Sequence, residues 1–198
     1  MTGPSDPATN KHFTSIEKTA LVVVDAQKGF IGKDTAHVVP KLVQLVSGWN
    51  ELGGATIFTR NFNYSGSPLE TLVDYTLMYG PPETDIIDEL TPFVGTVIDK
   101  TVYSFFTKDG TALVKQNQWT TLIFCGLDTE ACVLKSAFDA FDLGIVPLFV
   151  ADATASSFGP TKHEAGLSVA EAVLGERQIT TVNDLLSRFG MPEDVTDA

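Results

Sequence analysis

Cysteine, histidine and basic residues are all scarce in this chain of 198 residues, which has two Cys, three His, and 13 Lys plus Arg against 25 Asp plus Glu. Two cysteines, Cys125 and Cys132, are too few for a disulfide framework, and in the reducing intracellular setting expected here both stay free thiols. His12, His37 and His163 are scattered, so together with two Cys they do not form the spaced ligand set of a structural zinc site. A formal charge of −12 argues against nucleic acid or an anionic membrane as a partner, because such surfaces are bound through clustered Lys and Arg. No apolar run approaches the roughly 18 residues a membrane span needs. Residues 1–10 lack a basic stretch followed by an apolar one, so no secretory signal is expected and the expected location is cytoplasmic.

What is present is a folding composition. Hydrophobic residues make up 43% and charged residues 19%, enough apolar material for a sizeable core. The polar, unpatterned ends 1–12 and 190–198 read as flexible termini around a single domain, 13–189. Within it the run Ala20-Leu21-Val22-Val23-Val24 before Asp25 has the form of a strand buried on both faces. Further strands are expected at 55–59, 95–99, 121–125, 145–150 and 178–181. Helices are expected at 37–52, 129–143, 161–173 and 183–189. Strands alternating with helices predict right-handed crossovers. The fold class is therefore α/β, a three-layer Rossmann-like arrangement with a mostly parallel six-stranded sheet flanked by helices on both faces. Residues 61–92, rich in Gly, Pro, Asn and Tyr, break the alternation and read as a loop insertion serving as lid, binding loop or subunit contact.

In an open parallel sheet, ligands bind beyond the carboxyl ends of the strands. Three reactive residue types are expected there: Asp25 after the first strand, Lys100 after the third, and Cys132 in the turn that follows the fourth. A helix N-terminus and a nearby cation both stabilise a thiolate, and with Thr129 as N-cap Cys132 falls in the first helical turn. Lys100 supplies the cation and Asp25 a carboxylate able to take the thiol proton. Each residue also has a plain alternative, as a buried small apolar side chain, a turn residue or a solvated charge. Cys125, inside an apolar strand, reads as core.

The segments resemble the isochorismatase-like cysteine hydrolase superfamily, which includes nicotinamidases, N-carbamoylsarcosine amidohydrolases and isochorismatases. The resemblance rests on Ala20-Leu21-Val22-Val23-Val24-Asp25-Ala26-Gln27 with Phe30, on Lys100-Thr101-Val102-Tyr103-Ser104-Phe105-Phe106, and on Gly126-Leu127-Asp128-Thr129-Glu130-Ala131-Cys132-Val133. Ala151-Asp152-Ala153-Thr154-Ala155-Ser156 and His163-Glu164-Ala165 extend it. It implies that Asp25 is the base, Lys100 its charged partner and Cys132 the nucleophile. It also implies a non-proline cis peptide near Leu127–Asp128 and an oxyanion hole from the backbone N–H groups of Asp128 and Cys132. Gln27, Phe30, Arg60, Tyr103 and Phe106 are candidates for substrate binding, with Arg60 holding a carboxylate or carbonyl. Asp152 is expected to buttress the cysteine loop, and His163 to lie on a helix face. Homodimers or homotetramers are common in the superfamily, and residues 61–92 offer a place for a neighbouring subunit.

One departure narrows the activity. Nicotinamidases bind a metal through an Asp and one or two His after the second strand, whereas this chain has Arg60-Asn61-Phe62-Asn63-Tyr64 there and no His from 38 to 162. The expectation is thus a hydrolase with no metal or other cofactor, opening a C–N bond of a small amide, carbamoyl or imide-like substrate through a thioester. Two alternatives remain at this point. One is isochorismate-type vinyl ether hydrolysis with Asp25 as acid, and the other is a non-catalytic binding protein on the same fold.

Overall fold

The computed structural model describes residues 15–191. The flexible end expected at 1–12, and residues 192–198 of the one expected at 190–198, lie outside the described residues. Six strands form one sheet: β1 Thr19–Val24, β2 Ala55–Asn61, β3 Thr96–Lys100, β4 Thr121–Leu127, β5 Val146–Ala155 and β6 Ile179–Thr180. Their order is β3-β2-β1-β4-β5-β6, and every neighbouring pair is parallel. The chain runs outward through β2 and β3, then returns to place β4 on the other side of β1. The topological switch point therefore lies between β1 and β4, where an open α/β sheet forms its binding crevice.

Alternation along β1 builds the two cores. Leu21 and Val23 pack on one face with Val38, Leu42, Leu45 and Trp49 around α1 (Val39–Glu51) and with Leu185 and Leu186 of α6 (Val182–Arg188). Ala20, Val22 and Val24 face the other core, with residues of α3 (Lys108–Asn117), α4 (Leu134–Asp142) and α5 (Pro160–Leu174). All six residues of β1 are buried, as expected for a strand covered on both sides.

The helix α3 has no counterpart among the expected elements. Its only buried residues are Gly110 and Val114, so the apolar period that would announce it is nearly absent. It is specified instead by its ends: Thr107 caps the N-terminus by accepting from the Gly110 N–H at 3.2 Å, and Gln118 closes it in the left-handed conformation.

Residues 61–92 are more ordered than a plain loop. They hold a short helix, α2 (Pro68–Val73), capped by Ser67, whose hydroxyl accepts from the Glu70 N–H at 3.0 Å. Farther along, Lys28 N–H donates to Asp85 O at 2.8 Å, Gly29 N–H to Glu83 O at 2.8 Å and Ile87 N–H to Ala26 O at 3.1 Å. The segment is thereby zipped along the exit of β1, and Met78, Ile87 and Leu90 enter the first core. No helix among the described residues is long and apolar enough to cross a membrane.

Candidate active site

The chain leaves β1 through Asp25 in the left-handed conformation, φ 47°, a region Asp tolerates better than most residues. The kink is fixed by Thr59 of β2, whose hydroxyl accepts from the Asp25 N–H at 3.1 Å and donates to Asp25 Oδ1 at 2.6 Å. The second carboxylate oxygen, Oδ2, accepts from Lys100 Nζ at 2.6 Å. Lys100 sits in register with Asn61 at the end of β3, so its side chain crosses the end of β2 to reach Asp25. The same ammonium donates to Val102 O at 3.1 Å and lies 3.4 Å from Cys132 Sγ. The structure thus brings Asp25, Lys100 and Cys132 into one contact, across 75 and 32 residues of intervening chain.

Cys132 arrives on a turn that Gly126 makes possible. Gly126 pairs with Val24 and has φ 107°, and a Cβ there would stand 2.0 Å from the Val24 carbonyl oxygen. Only glycine lets β4 pass this close to the end of β1. The following Leu127–Asp128 peptide is cis. Thr129–Val133 then form a π-helical turn before α4 begins at Leu134. Thr129 was expected to be the N-cap. That position belongs to Asp128, and the Thr129 hydroxyl pairs instead with His163 Nδ1 at 2.7 Å.

The electrostatics differ from a preformed thiolate. Asp25 and the Lys100 side chain are fully buried, and Cys132 is 6% exposed. Burial pushes the Cys132 thiol up, Asp25 pushes it further up, and the opposing pull of Lys100 is smaller. Lys100 itself is depressed by burial, yet the neighbouring Asp25 and Cys132 carry it above the ordinary lysine value. The resting arrangement is therefore a Lys100–Asp25 ion pair beside a neutral thiol, with the carboxylate ready to receive its proton. Cys125 is wholly buried on the opposite face of the sheet, and burial alone raises its thiol.

The other expected residues divide. Gln27 is fully buried and its amide is engaged: it donates to Asn61 O at 3.1 Å and Thr84 O at 2.9 Å, and accepts from the Asn61 N–H at 2.7 Å. It is a buried strut between β1, β2 and residues 61–92. Phe30 belongs to the first core, and Phe106 packs edge-on against Phe105 beside the second. Arg60 is not turned to the trio, since Asp99 takes its guanidinium in two bonds of 2.7 and 2.8 Å while Phe62 stacks beneath it. Tyr103 is nearly half exposed and lines a cleft of about 240 Å³ with Pro68, Leu69, Leu72, Val73 and Val102. A wider groove of about 560 Å³ opens beside Lys100, lined by Phe62, Asp99, Thr101, Val102 and Thr107.

Asp152 does not brace the cysteine loop. It accepts from the Val182 N–H at 2.8 Å and pairs with Lys41 at 3.1 Å, joining β5 to α6 and α1. The bracing falls to its neighbours in the same segment. Ser157 donates its N–H and hydroxyl to the two carboxylate oxygens of Asp128, at 2.7 and 2.8 Å, and Ser156 donates to Glu130 at 2.7 Å. Thr59 is a second residue the sequence reading passed over. Its position near the end of the strand beside β1, as a hydroxyl directly after the apolar pair Ile57-Phe58, was the available signal.

At residues 60–64, where a metal-binding relative would present carboxylate and imidazole, the groups are engaged otherwise. Asn63 donates to Tyr75 O at 2.8 Å and accepts from the Tyr64 N–H at 2.9 Å and from the Ser67 hydroxyl at 2.5 Å. Among the described residues no group of three or more His, Cys, Asp or Glu is placed to hold a metal ion.

Comparison with known proteins finds relatives in sequence and in fold. A family model described as Isochorismatase domain matches residues 19–183. An uncharacterized isochorismatase family protein of Bacillus subtilis, YwoC, is 30% identical over 173 residues, covering 83% of this chain and 91% of its own. The ureidoacrylate amidohydrolase RutB of Serratia proteamaculans is 28% identical over 190 residues, covering 78% of this chain and 73% of that protein. In fold, a cysteine hydrolase from Pseudomonas syringae pv. phaseolicola superposes with a TM-score of 0.79 at 23% identity, covering 89% of this chain and 94% of that one.

Proposed function

The chain belongs to the isochorismatase family of hydrolases, and from that premise we propose that it is a metal-independent cysteine hydrolase opening the C–N bond of a small amide, carbamoyl or imide-like compound. The observation that carries the proposal is the single ammonium of Lys100 touching both Asp25 Oδ2 and Cys132 Sγ at the rim of the sheet. The amidohydrolase activity named for the Serratia relative supports the same reaction class. The donor set at residues 60–64, amide and guanidinium groups already bonded to protein, supports a reaction run by protein groups alone.

Asp25 takes the Sγ proton as the sulfur bonds to the substrate carbonyl carbon, so no standing thiolate is required. The backbone N–H groups of Asp128 and Cys132 receive the developing oxyanion, each such donor being worth about 3 kcal/mol. The C–N bond breaks, the departing nitrogen takes the proton from Asp25, and a thioester remains on Cys132. Water then gives a proton to Asp25 and attacks the thioester. The C–S bond breaks, the acid departs, and the proton returns to the sulfur. Lys100 keeps the carboxylate oriented throughout and offsets the charge that appears on sulfur.

The test is intact-protein mass after rapid quenching with a panel of small amides and carbamoyl compounds. The expected result is an acyl adduct that maps to Cys132, is absent in Cys132→Ala, and persists in Cys125→Ala. No adduct with any amide, together with turnover of a vinyl ether that is retained in Cys132→Ala but lost in Asp25→Asn, would replace this reaction with acid-assisted ether opening.

A further inference from the structure

Resting on the oxyanion hole assigned above, a further residue belongs to the machinery. The turn 128–132 is held from behind by the segment that leaves β5. Ser157 spends both of its donors on Asp128, one bond to each carboxylate oxygen. Ser156 donates only its hydroxyl, to one oxygen of Glu130 whose other oxygen is buried with no partner among the described residues, and that hydroxyl also accepts from the Phe158 N–H at 3.1 Å. From α5, His163 holds Thr129 at 2.7 Å, and Gly166 lies so near that a Cβ there would stand 3.0 Å from the Glu130 backbone. Of these ties the Ser157–Asp128 pair is the one made to the residue whose own N–H is assigned to the oxyanion. It is also two bonds in a fork, which fixes direction as well as distance.

We propose that Ser157 is a positioning residue for catalysis, which through its paired bonds to the Asp128 carboxylate aims the Asp128 N–H at the carbonyl oxygen bound over Cys132.

The charge environment makes the tie readable. Burial pushes the Asp128 carboxyl up to about 6, with the two Ser157 bonds pulling the other way. Glu130 on the same turn and Asp25 at the end of β1 each push it further up. Tyr75, from residues 61–92, is a neutral neighbour whose phenol is raised to about 12 chiefly by burial, with the Asp128 and Glu83 carboxylates pushing it further up. His163 on α5 is the remaining titratable contact of the turn, and burial lowers it. Because a bond donated to the ionised carboxylate favours that form, removing the Ser157 hydroxyl must raise the Asp128 titration.

The experiment compares wild type, Ser157→Ala and Ser157→Thr by steady-state kinetics on an amide the wild type hydrolyses. Alongside it, carbon NMR titration of carboxyl-labelled aspartate is assigned with Asp128→Asn. In Ser157→Ala the backbone bond survives, so the protein stays folded. Its kcat falls about tenfold with KM within about twofold, as expected when a transition-state donor is misaimed. The Asp128 titration rises by about one pH unit, the worth of one charge-assisted bond. Ser157→Thr, which keeps the hydroxyl, restores both. A wild-type kcat in Ser157→Ala, or an Asp128 titration that does not move, overturns the proposal, as does a lowered melting temperature with unchanged kinetics. If the wild type hydrolyses none of the amides, the functional reading itself falls and takes this inference with it.

Discussion

Replacing Lys100 by Met removes one partner of an ion pair that has no access to water on either side. At 2.6 Å the attraction is about 6 kcal/mol for an effective dielectric of 20. The several kcal/mol lost by each ion on leaving water offset most of that. The intact pair is therefore worth little to stability, but its halves are not. With Lys100 gone, the buried Asp25 carboxylate keeps the Thr59 hydroxyl and the Cys132 thiol as partners but no opposite charge, and a stranded buried charge costs about 3–5 kcal/mol. The double variant Asp25→Asn/Lys100→Met has no charge to strand and is expected to be more stable than Lys100→Met alone, by about 2 kcal/mol. Urea unfolding at neutral pH, with the slopes checked for constancy, measures each corner of the cycle. The pH sign follows from Lys100 being raised above 10.5: its contribution is complete at neutrality and disappears only as strong alkali deprotonates it. A loss under about 1 kcal/mol in Lys100→Met, as at an exposed pair, or strict additivity in the cycle, would refute the reasoning.

Two further outcomes follow from the same turn. Asp128 has a raised carboxyl, about 6 against an ordinary 3.8, so its stabilising contribution is present below the ordinary value and lost as pH rises to about 6. Asp128→Asn removes this pH-dependent penalty but sets an amide NH2 against a Ser157 donor, so the stability of the variant relative to wild type is expected to improve by about 2–3 kcal/mol between pH 4 and pH 7. Thermal unfolding at the two pH values checks this, and a gain independent of pH would contradict it. Gly126→Ala places its Cβ 2.0 Å from the Val24 carbonyl oxygen at φ 107°, so the strands must part. A loss above about 4 kcal/mol, or no soluble protein, is expected from expression and urea titration.

Much of this protein is determined locally. The unbroken apolar run 20–24 of β1, and the alternation of strand and helix that follows, compel a parallel sheet covered on both faces, because each element must bury its apolar side against the next. The same logic carries Asp25, Lys100 and Cys132 to one rim, since each ends a strand or opens the turn after it. Side-chain allegiance is another matter. Nothing in the order of residues says that Arg60 is claimed by Asp99, that Gln27 spends its amide on Asn61 and Thr84, or that Ser157 rather than Asp152 reaches the cysteine loop. Those partners lie roughly 30 to 60 residues apart, and a polar group is satisfied by whichever partner the packed elements bring within bonding distance. The helix α3 escaped for a related reason, because it buries too little for a pattern to show and is held by its caps. Periodicity and strand ends therefore decided the scaffold and the place of the chemistry. Which groups are left free to act there was decided only when packing at the ends of β1, β2 and β4 had used up the rest.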